Sequence, residues 1–282
     1  IIDDIEFGYT SSPVLKDIKF DLGGAQLVSI LGPNGVGKST LIHCINNILT
    51  PSSGVVTVNG KDVTSYKLKD LAKIMGYVPY TSSDRFPLSV VDTVLMGRHP
   101  HSSWKSTDKD LDVVYDTLEM LNIEDLAMRS FSELSAGQHQ KVMLARGFAQ
   151  EPKILLLDEP TSNLDIKHQM EVTMILKEMS VKKGILVIMI SHDINMAARF
   201  SDKVILMSEG SIFSIGTPEE VINEENIRNV YGVDSRIIDD RGTPHVIIHN
   251  PVNDRRNESV EKVSNGSVFE VQPDKGTLVT GL

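Results

Sequence analysis

Three nearly unbroken apolar runs interrupt the mixed hydrophobic and polar pattern of this chain: QLVSIL at 26 to 31, KILLLD at 153 to 158 and GILVIMI at 184 to 190. Strands buried on both faces of a parallel sheet read this way, whereas half-exposed strands alternate. Each run ends in polar chemistry. The first enters a glycine-rich loop, the second reaches Asp158 and Glu159, and the third reaches Ser191 and His192. Ligands of open α/β sheets gather at the carboxyl ends of strands, so the three endings are expected around one ligand.

Other segments surround this parallel framework. IIDDIEFGYT and VLKDIKFDL read as strands, and the Asn59-Gly60 pair in GVVTVNGKDV marks a tight hairpin, predicting an antiparallel flap beside the sheet. From Ser89 to Gln150 the pattern turns helical. TDKDLDVVYDTLEML opens with a Thr107 and Asp110 capping box and is expected to carry Leu111, Val114, Tyr115, Leu118 and Leu121 on one face. The stretch MGYVPYTSSDRFPLSVVD, Met75 to Asp92, stands at the entrance of this helical insertion. Its prolines and its Thr-Ser-Ser-Asp cluster signal turns, yet Tyr80, Phe86 and Leu88 make it apolar for a connector. Beyond about residue 236, RIIDDRGTPHVII predicts a hairpin, NPVNDRRNESVEKVSNGS is linker-like, and VFEVQPDKGTLV predicts a second short hairpin. No long internal repeat is visible.

Composition narrows the class. Twenty-eight Lys and Arg against 38 Asp and Glu give a net charge of -10, which disfavours a broad electrostatic footprint for nucleic acid or anionic lipid. Cys44 is the single cysteine, so neither a disulfide framework nor a thiolate cluster for metal is expected. No apolar run approaches the ~20 residues that span a bilayer. The chain begins at Ile1 with no basic-then-apolar leader, and a cytoplasmic protein is expected.

The chemistry concentrates in three motifs. GPNGVGKST, Gly32 to Thr40, follows an apolar strand and opens a helix whose Leu41, Ile42, Ile45, Ile48 and Leu49 share a face, with Pro51 just beyond. In such a loop, running here through Asn34, Gly35 and Gly37, backbone N–H groups wrap the β-phosphate of a nucleotide. Lys38 adds a point charge toward the β- and γ-phosphates, and Ser39 offers a hydroxyl to Mg²⁺, with Thr40 next in the helix. In ILLLDEP, Asp158 is placed to orient water on Mg²⁺, and Glu159 to polarise an attacking water. In ELSAGQHQKVMLARGFA, Ser135 precedes a helix with a Val142, Ala145 and Ala149 core face. That end is either a second anion site, built from Ser135, Gly137, Gln138 and backbone N–H groups, or simply a well-capped helix.

Taken together, the phosphate loop, LSAGQ, LLLDEP, the SNLD turn at Ser162 to Asp165 and His192 resemble the ATP-binding subunit of ATP-binding cassette (ABC) transporters, in order and spacing, from about Ile1 to Val233. The resemblance implies an α/β fold: a P-loop NTPase, RecA-like core with an antiparallel β subdomain and an inserted α-helical subdomain at about 84–151. The ATPase domain would cover 1–235, leaving 236–282 as a C-terminal extension. It also implies roles: Tyr9 stacking on adenine, Glu159 as general base, His192 contacting the γ-phosphate, and Ser39 and Asp158 at Mg²⁺. Two copies would sandwich ATP head to tail, so that Ser135, Gly137 and Gln138 reach the γ-phosphate held by the other copy.

GRHPH at 97 to 101 and SNLDIKHQ at 162 to 169 look like the importer branch that serves ferric siderophores, haem and vitamin B12. That branch implies transmembrane permease subunits, an upstream substrate-binding protein, and a location on the inner face of the cell membrane. A soluble ABC ATPase acting on nucleic acid or ribosomes is the alternative, disfavoured by the acidic charge and the single cassette. A regulatory module in the C-terminal segment is a further one. His99 and His101 read as solvated rather than as metal ligands. Two residues depart from the family pattern. Ala136 stands where a glycine is usual, which a helical backbone tolerates, and Tyr80 stands where a glutamine normally contacts Mg²⁺ and water.

Overall fold

The computed structural model describes residues 1–80, 88–101 and 107–252. Phe86 and the second hairpin expected near the C-terminus lie outside them. The first strands, β1 (Ile2–Phe7), β2 (Leu15–Phe20), β4 (Ser53–Val58) and β5 (Lys61–Asp62), form an antiparallel sheet in the order β2-β1-β4-β5. Asn59 and Gly60 both take positive φ, 53° and 74°, at the β4–β5 turn, as the Asn-Gly pair predicts.

The second sheet has the order β10-β9-β3-β8-β7-β6, built from β3 (Gln26–Leu31), β6 (Met75–Val78), β7 (Ile154–Leu157), β8 (Leu186–Ile190), β9 (Lys203–Ser208) and β10 (Ser211–Gly216). Its pairs are parallel except for β9 with β10. The three apolar runs are β3, β7 and β8, central neighbours, so their polar endings do fall side by side. Strand β6 corrects the reading of the Met75 stretch as a loop: it begins as an edge strand whose residues pair one for one with Ile154 to Leu157.

Helices cover the sheet. Helix α1 (Lys38–Ile45) follows β3, and the short α2 (Leu68–Ala72) precedes β6. Between β6 and β7 come α3 (Val90–Leu95), α4 (Asp108–Met120) and α5 (Ala136–Ala149), the helical insertion read from the pattern. Helix α6 (Ile166–Lys183) leads into β8, α7 (Ile194–Phe200) follows it, and α8 (Pro218–Val221) and α9 (Glu224–Tyr231) follow β10. The expected C-terminal hairpin is present as β11 (Val233–Asp239) and β12 (Pro244–Pro251), with Ile237 opposite Val246.

Two helices differ from their expected faces. Helix α1 stops at Ile45, because Asn46 caps it and Asn47 takes a left-handed φ of 56°. Ile48 is therefore exposed, while Leu49 folds back onto the core. In α4 the buried strip is Asp110, Val114, Thr117 and Leu118, with Leu121 beyond it, and Leu111 and Tyr115 face solvent. The helix is rotated by a charge. Buried Arg98 donates from Nε to Asp110 Oδ1 at 3.1 Å, and from Nη1 to the Ala149 carbonyl at 2.6 Å and Glu151 Oε2 at 2.7 Å. One guanidinium thus ties the starts of α4 and the end of α5 together. Removing either partner of such a buried pair costs about 3–5 kcal/mol, since the remaining charge stays buried.

Candidate active site

Strand β3 delivers the glycine loop to the edge of the core, and local sterics decide its shape. Gly32 takes φ 146°, and a Cβ there would stand 2.5 Å from the Met207 carbonyl oxygen, so only glycine passes under β9. Gly37, at φ 103°, turns the chain into α1, whose first residue is Lys38. Asn34 and Gly35 are exposed at the tip of the loop. Buried Lys38 donates from Nζ to the carbonyls of Gly32 (2.7 Å) and Pro33 (2.8 Å). Burial lowers its pKa, and the charges of Glu159 and Asp158 oppose that shift.

One residue further on, Ser39 Oγ donates to Asp158 Oδ1 at 3.0 Å, joining α1 to the end of β7. Burial raises the Asp158 pKa, with the Ser39 hydrogen bond pulling down and the Glu159 charge adding to the rise. A hydroxyl and a carboxylate, both hard oxygen donors, make a set that suits Mg²⁺ and not a soft metal. Behind them His43 Nε2 and the Tyr77 hydroxyl are 2.9 Å apart, and burial, helped by the Asp158 charge, pushes the Tyr77 phenol up to about 12.

Glu159 is the most constrained of these groups. Its backbone takes φ 50°, a left-handed conformation that a non-glycine residue keeps only where its surroundings hold it there. Oε1 meets His192 Nε2 at 2.6 Å and Oε2 accepts from Ser162 Oγ at 2.8 Å. Burial raises its pKa, but the hydrogen bonds of His192 and Ser162, with the charges of His192 and Lys38, outweigh burial and leave it lowered. The endings of β3, β7 and β8 thus converge through Lys38, Asp158, Glu159 and His192.

Tyr9 lies beyond β1 and is 64% exposed, not in the core. Its ring meets Phe7 edge-on at 5.0 Å, and its hydroxyl is 3.5 Å from Thr40 Oγ1, so it flanks the glycine loop. At the Ser135 helix end, Leu134 and Ala136 line one cavity with Tyr80, Glu159 and Ser162. Ser135 and Gln138 satisfy each other in a capping box, and both Ser135 and Ala136 are exposed. Ala136 is the first helical residue of α5, so its methyl group is accommodated. Gly137 is needed for space: a Cβ there would stand 2.6 Å from His168 Cδ2.

Two contacts escape sequence reading. The Tyr80 hydroxyl accepts from Asn163 Nδ2 at 2.9 Å, linking the end of β6 to the Ser162–Asp165 turn beside Glu159. His101, read as solvated, places Nε2 2.8 Å from the Gln150 carbonyl at the end of α5. His99 is exposed. Neither pairing follows from local spacing, since each joins residues more than forty apart.

The ABC transporter family model matches residues 15–162, from β2 past both carboxylates. The chain belongs to the ABC transporter ATP-binding family. It is an ABC-type ATPase, and its domain binds ATP. An uncharacterised ABC transporter ATP-binding protein of Methanocaldococcus jannaschii is 46% identical over 87% of this chain and 96% of its own length. The ferric enterobactin transport ATP-binding protein of Escherichia coli is 34% identical, over 87% of this chain and 92% of its own. A phosphonates import ATP-binding protein of Nitratidesulfovibrio vulgaris is 39% identical, over 78% and 86%.

Among solved structures, a chain of an inward-facing ABC transporter described as of the metal-chelate type superposes with TM-score 0.77 at 29% identity, over 88% of this chain and 96% of that one. A dimeric ATP-binding cassette in a post-hydrolysis state with ADP and Pi superposes with TM-score 0.67 at 26% identity, over 77% and 97%. ABC cassettes therefore form dimers in solved structures. Among the described residues of this ABC ATPase, no helix is long and apolar enough to cross a membrane.

Proposed function

We propose that this chain is the ATP-hydrolysing subunit of an ABC importer that takes up a metal chelate, such as a ferric siderophore, haem or cobalamin. The observation that carries the catalytic part is the convergence of Lys38, the Ser39–Asp158 pair and the Glu159–His192 pair at the ends of three adjacent strands. The backbone from Gly32 through Thr40, with Lys38, binds the phosphates, and Tyr9 offers its exposed ring to adenine. Ser39 and Asp158 would hold Mg²⁺, which would supply positive charge against the phosphates.

Glu159 polarises water for attack on the γ-phosphorus. The water's proton passes to Glu159 as its P–O bond forms, the bond to the β–γ bridging oxygen breaks, and ADP leaves with that electron pair. His192 orients Glu159 and reaches the γ-phosphate. Ser135 and Ala136 are exposed at the start of α5, and a similar cassette is dimeric, which supports a head-to-tail dimer in which Ser135, Gly137 and Gln138 close on the partner copy's nucleotide. Closure on ATP and reopening after hydrolysis then drive permease subunits, with the ATPase held peripherally at the inner face of the cell membrane. A substrate-binding protein acts upstream, and no nucleic acid takes part.

The E. coli relative and the metal-chelate type structure support the cargo class, and the phosphonate relative defines its competitor. The test is reconstitution with the co-purifying polytopic permease, scoring ATP-dependent uptake of ferric siderophore, cobalamin and phosphonate. Uptake of a chelate alone is expected. Uptake of phosphonate alone overturns the cargo. Stable co-purification with ribosomes or DNA in place of a membrane protein overturns the transport reading.

A further inference from the structure

The C-terminal hairpin packs against the element that carries His192. Ser191 Oγ accepts from the Asp193 N–H at 3.2 Å, and the Asp193 carboxylate accepts from the Met196 N–H at 2.9 Å, so His192 occupies a tight turn at the start of α7. In the first turn of that helix, Asn195 reaches out to β12. Its Oδ1 accepts from the Val246 N–H at 2.7 Å, and its Nδ2 donates to the Val246 carbonyl at 3.2 Å. One side-chain amide therefore meets both backbone groups of a strand residue, the pairing a neighbouring strand would supply.

Val246 is 5% exposed and belongs to an apolar cluster with Ala197, Leu206 and Ile227, which fixes β12 to the body of the protein. The hairpin is also tied at its other strand, where the Ile237 N–H donates to Glu224 Oε1 at 3.1 Å. Val246 and Ile248 form one wall of a cavity of about 350 Å³ whose other wall is His192, Ser162, Thr161 and Gln169. Ser162 and His192 are the two groups that hold Glu159. The hairpin thus stands directly behind the clamp on Glu159.

We propose that β12 is a brace for His192: Asn195 and Ile248 are positioning residues that keep the imidazole on Glu159 during turnover. The inference rests on the reading of Glu159 and His192 as the hydrolytic pair. It gives the C-terminal hairpin a part in hydrolysis without any ligand of its own.

The test uses the full chain with two variants. Asn195→Ala removes both bonds to Val246. Ile248→Ser alters the cavity wall at a residue that is 58% exposed, so folding is little affected. Expected for Asn195→Ala is a kcat lower by roughly fivefold to tenfold, the loss of one to two ordinary hydrogen bonds, with KM for ATP and the Kd of trinitrophenyl-ATP unchanged. Amide hydrogen exchange at 191–196 accelerates while β3 and β8 keep their protection. Ile248→Ser shows the same pattern at about twofold to threefold, a fraction of one hydrogen bond's worth.

Wild-type kcat and wild-type exchange in both variants overturn the brace. So does a fall in kcat that is matched by KM and by exchange across the whole chain, since that marks general weakening. If the wild-type protein itself fails to hydrolyse ATP, the catalytic reading fails, and exchange at 191–196 alone decides the brace.

Discussion

The phosphate loop and the Ser135 helix end are both helix starts with backbone donors, and their surroundings differ completely. At the loop, Lys38 and Asp158 are buried, Lys38 is held by the Gly32 and Pro33 carbonyls, and two pairs join separate elements: Ser39 with Asp158, and Glu159 with His192. At the Ser135 end the capping box is closed on itself and exposed. The first is a site built inside one chain. The second is exposed at Ser135 and Ala136, with Gly137 buried, and in the proposed dimer its chemistry depends on what docks there. Good capping and anion binding use the same geometry, and only the arrangement around each end separates the two uses.

The largest effect that sharpens this contrast is at Glu159. Glu159→Gln removes the base while keeping shape, and kcat falls by about 10²–10⁴, the range for a positioned general base. Steady-state ATPase assays check it, and a loss under tenfold would move the base elsewhere. Lys38→Ala is next. Loss of its charge lowers kcat/KM by roughly 10²–10³, as for other preorganised charge stabilisers. Wild-type turnover would remove the loop from the chemistry.

Ser135→Ala then separates the two ends. It costs about 1 kcal/mol of stability through the lost cap, and nucleotide affinity of the isolated chain is unchanged, yet kcat falls by at least about tenfold, equivalent to one charge-assisted bond. An unaltered kcat would reduce this end to a cap. At Tyr80, Tyr80→Phe removes the bond to Asn163 and lowers kcat by roughly fivefold, while Tyr80→Gln, which offers an amide oxygen to Mg²⁺, turns over faster than the Phe variant. Equal rates would leave the phenol oxygen without a role.

A prediction of a different kind, on stability at low pH, concerns the Arg98 hub. The Thr107 backbone hydrogen bond first, and then Arg98, hold the Asp110 pKa at about 2 against a usual 3.8. A depressed carboxylate pKa stabilises the fold above the unfolded value and loses that contribution as pH falls through the folded one. The Tm advantage of the wild type over Asp110→Asn is therefore constant above about pH 5 and shrinks as pH falls from there through about 2. A pH-independent difference would mean that the charge of Asp110 adds nothing.

Much of this architecture can be read from local pattern. The strands that end in the glycine loop, Asp158 and His192 are continuous apolar runs, and the Asn59-Gly60 turn and the capping boxes at Thr107 and Ser135 are fixed by residues three apart or fewer. Strand β9 is a fourth apolar run, Val204 to Met207, whereas β6 and β10 are harder to see. β6 is four residues long and merges with a proline-containing loop, and Ser211 to Gly216 has mixed exposure. The α4 face is misjudged because burial there follows Arg98, twelve residues upstream of Asp110, and not hydropathy alone. The links Tyr80 to Asn163 and Asn195 to Val246 are products of topology. They join residues 83 and 51 apart, a distance at which no periodicity operates.

The claim that the two helix ends complete each other across a pair of chains is tested most directly by the mass of Glu159→Gln in solution. Size-exclusion chromatography with light scattering under saturating Mg²⁺ and ATP should give twice the chain mass, returning to a single chain when Ser135→Arg is added and bulk is placed at the exposed end. A species that remains one chain under saturating ATP, with nucleotide demonstrably bound, would contradict the account.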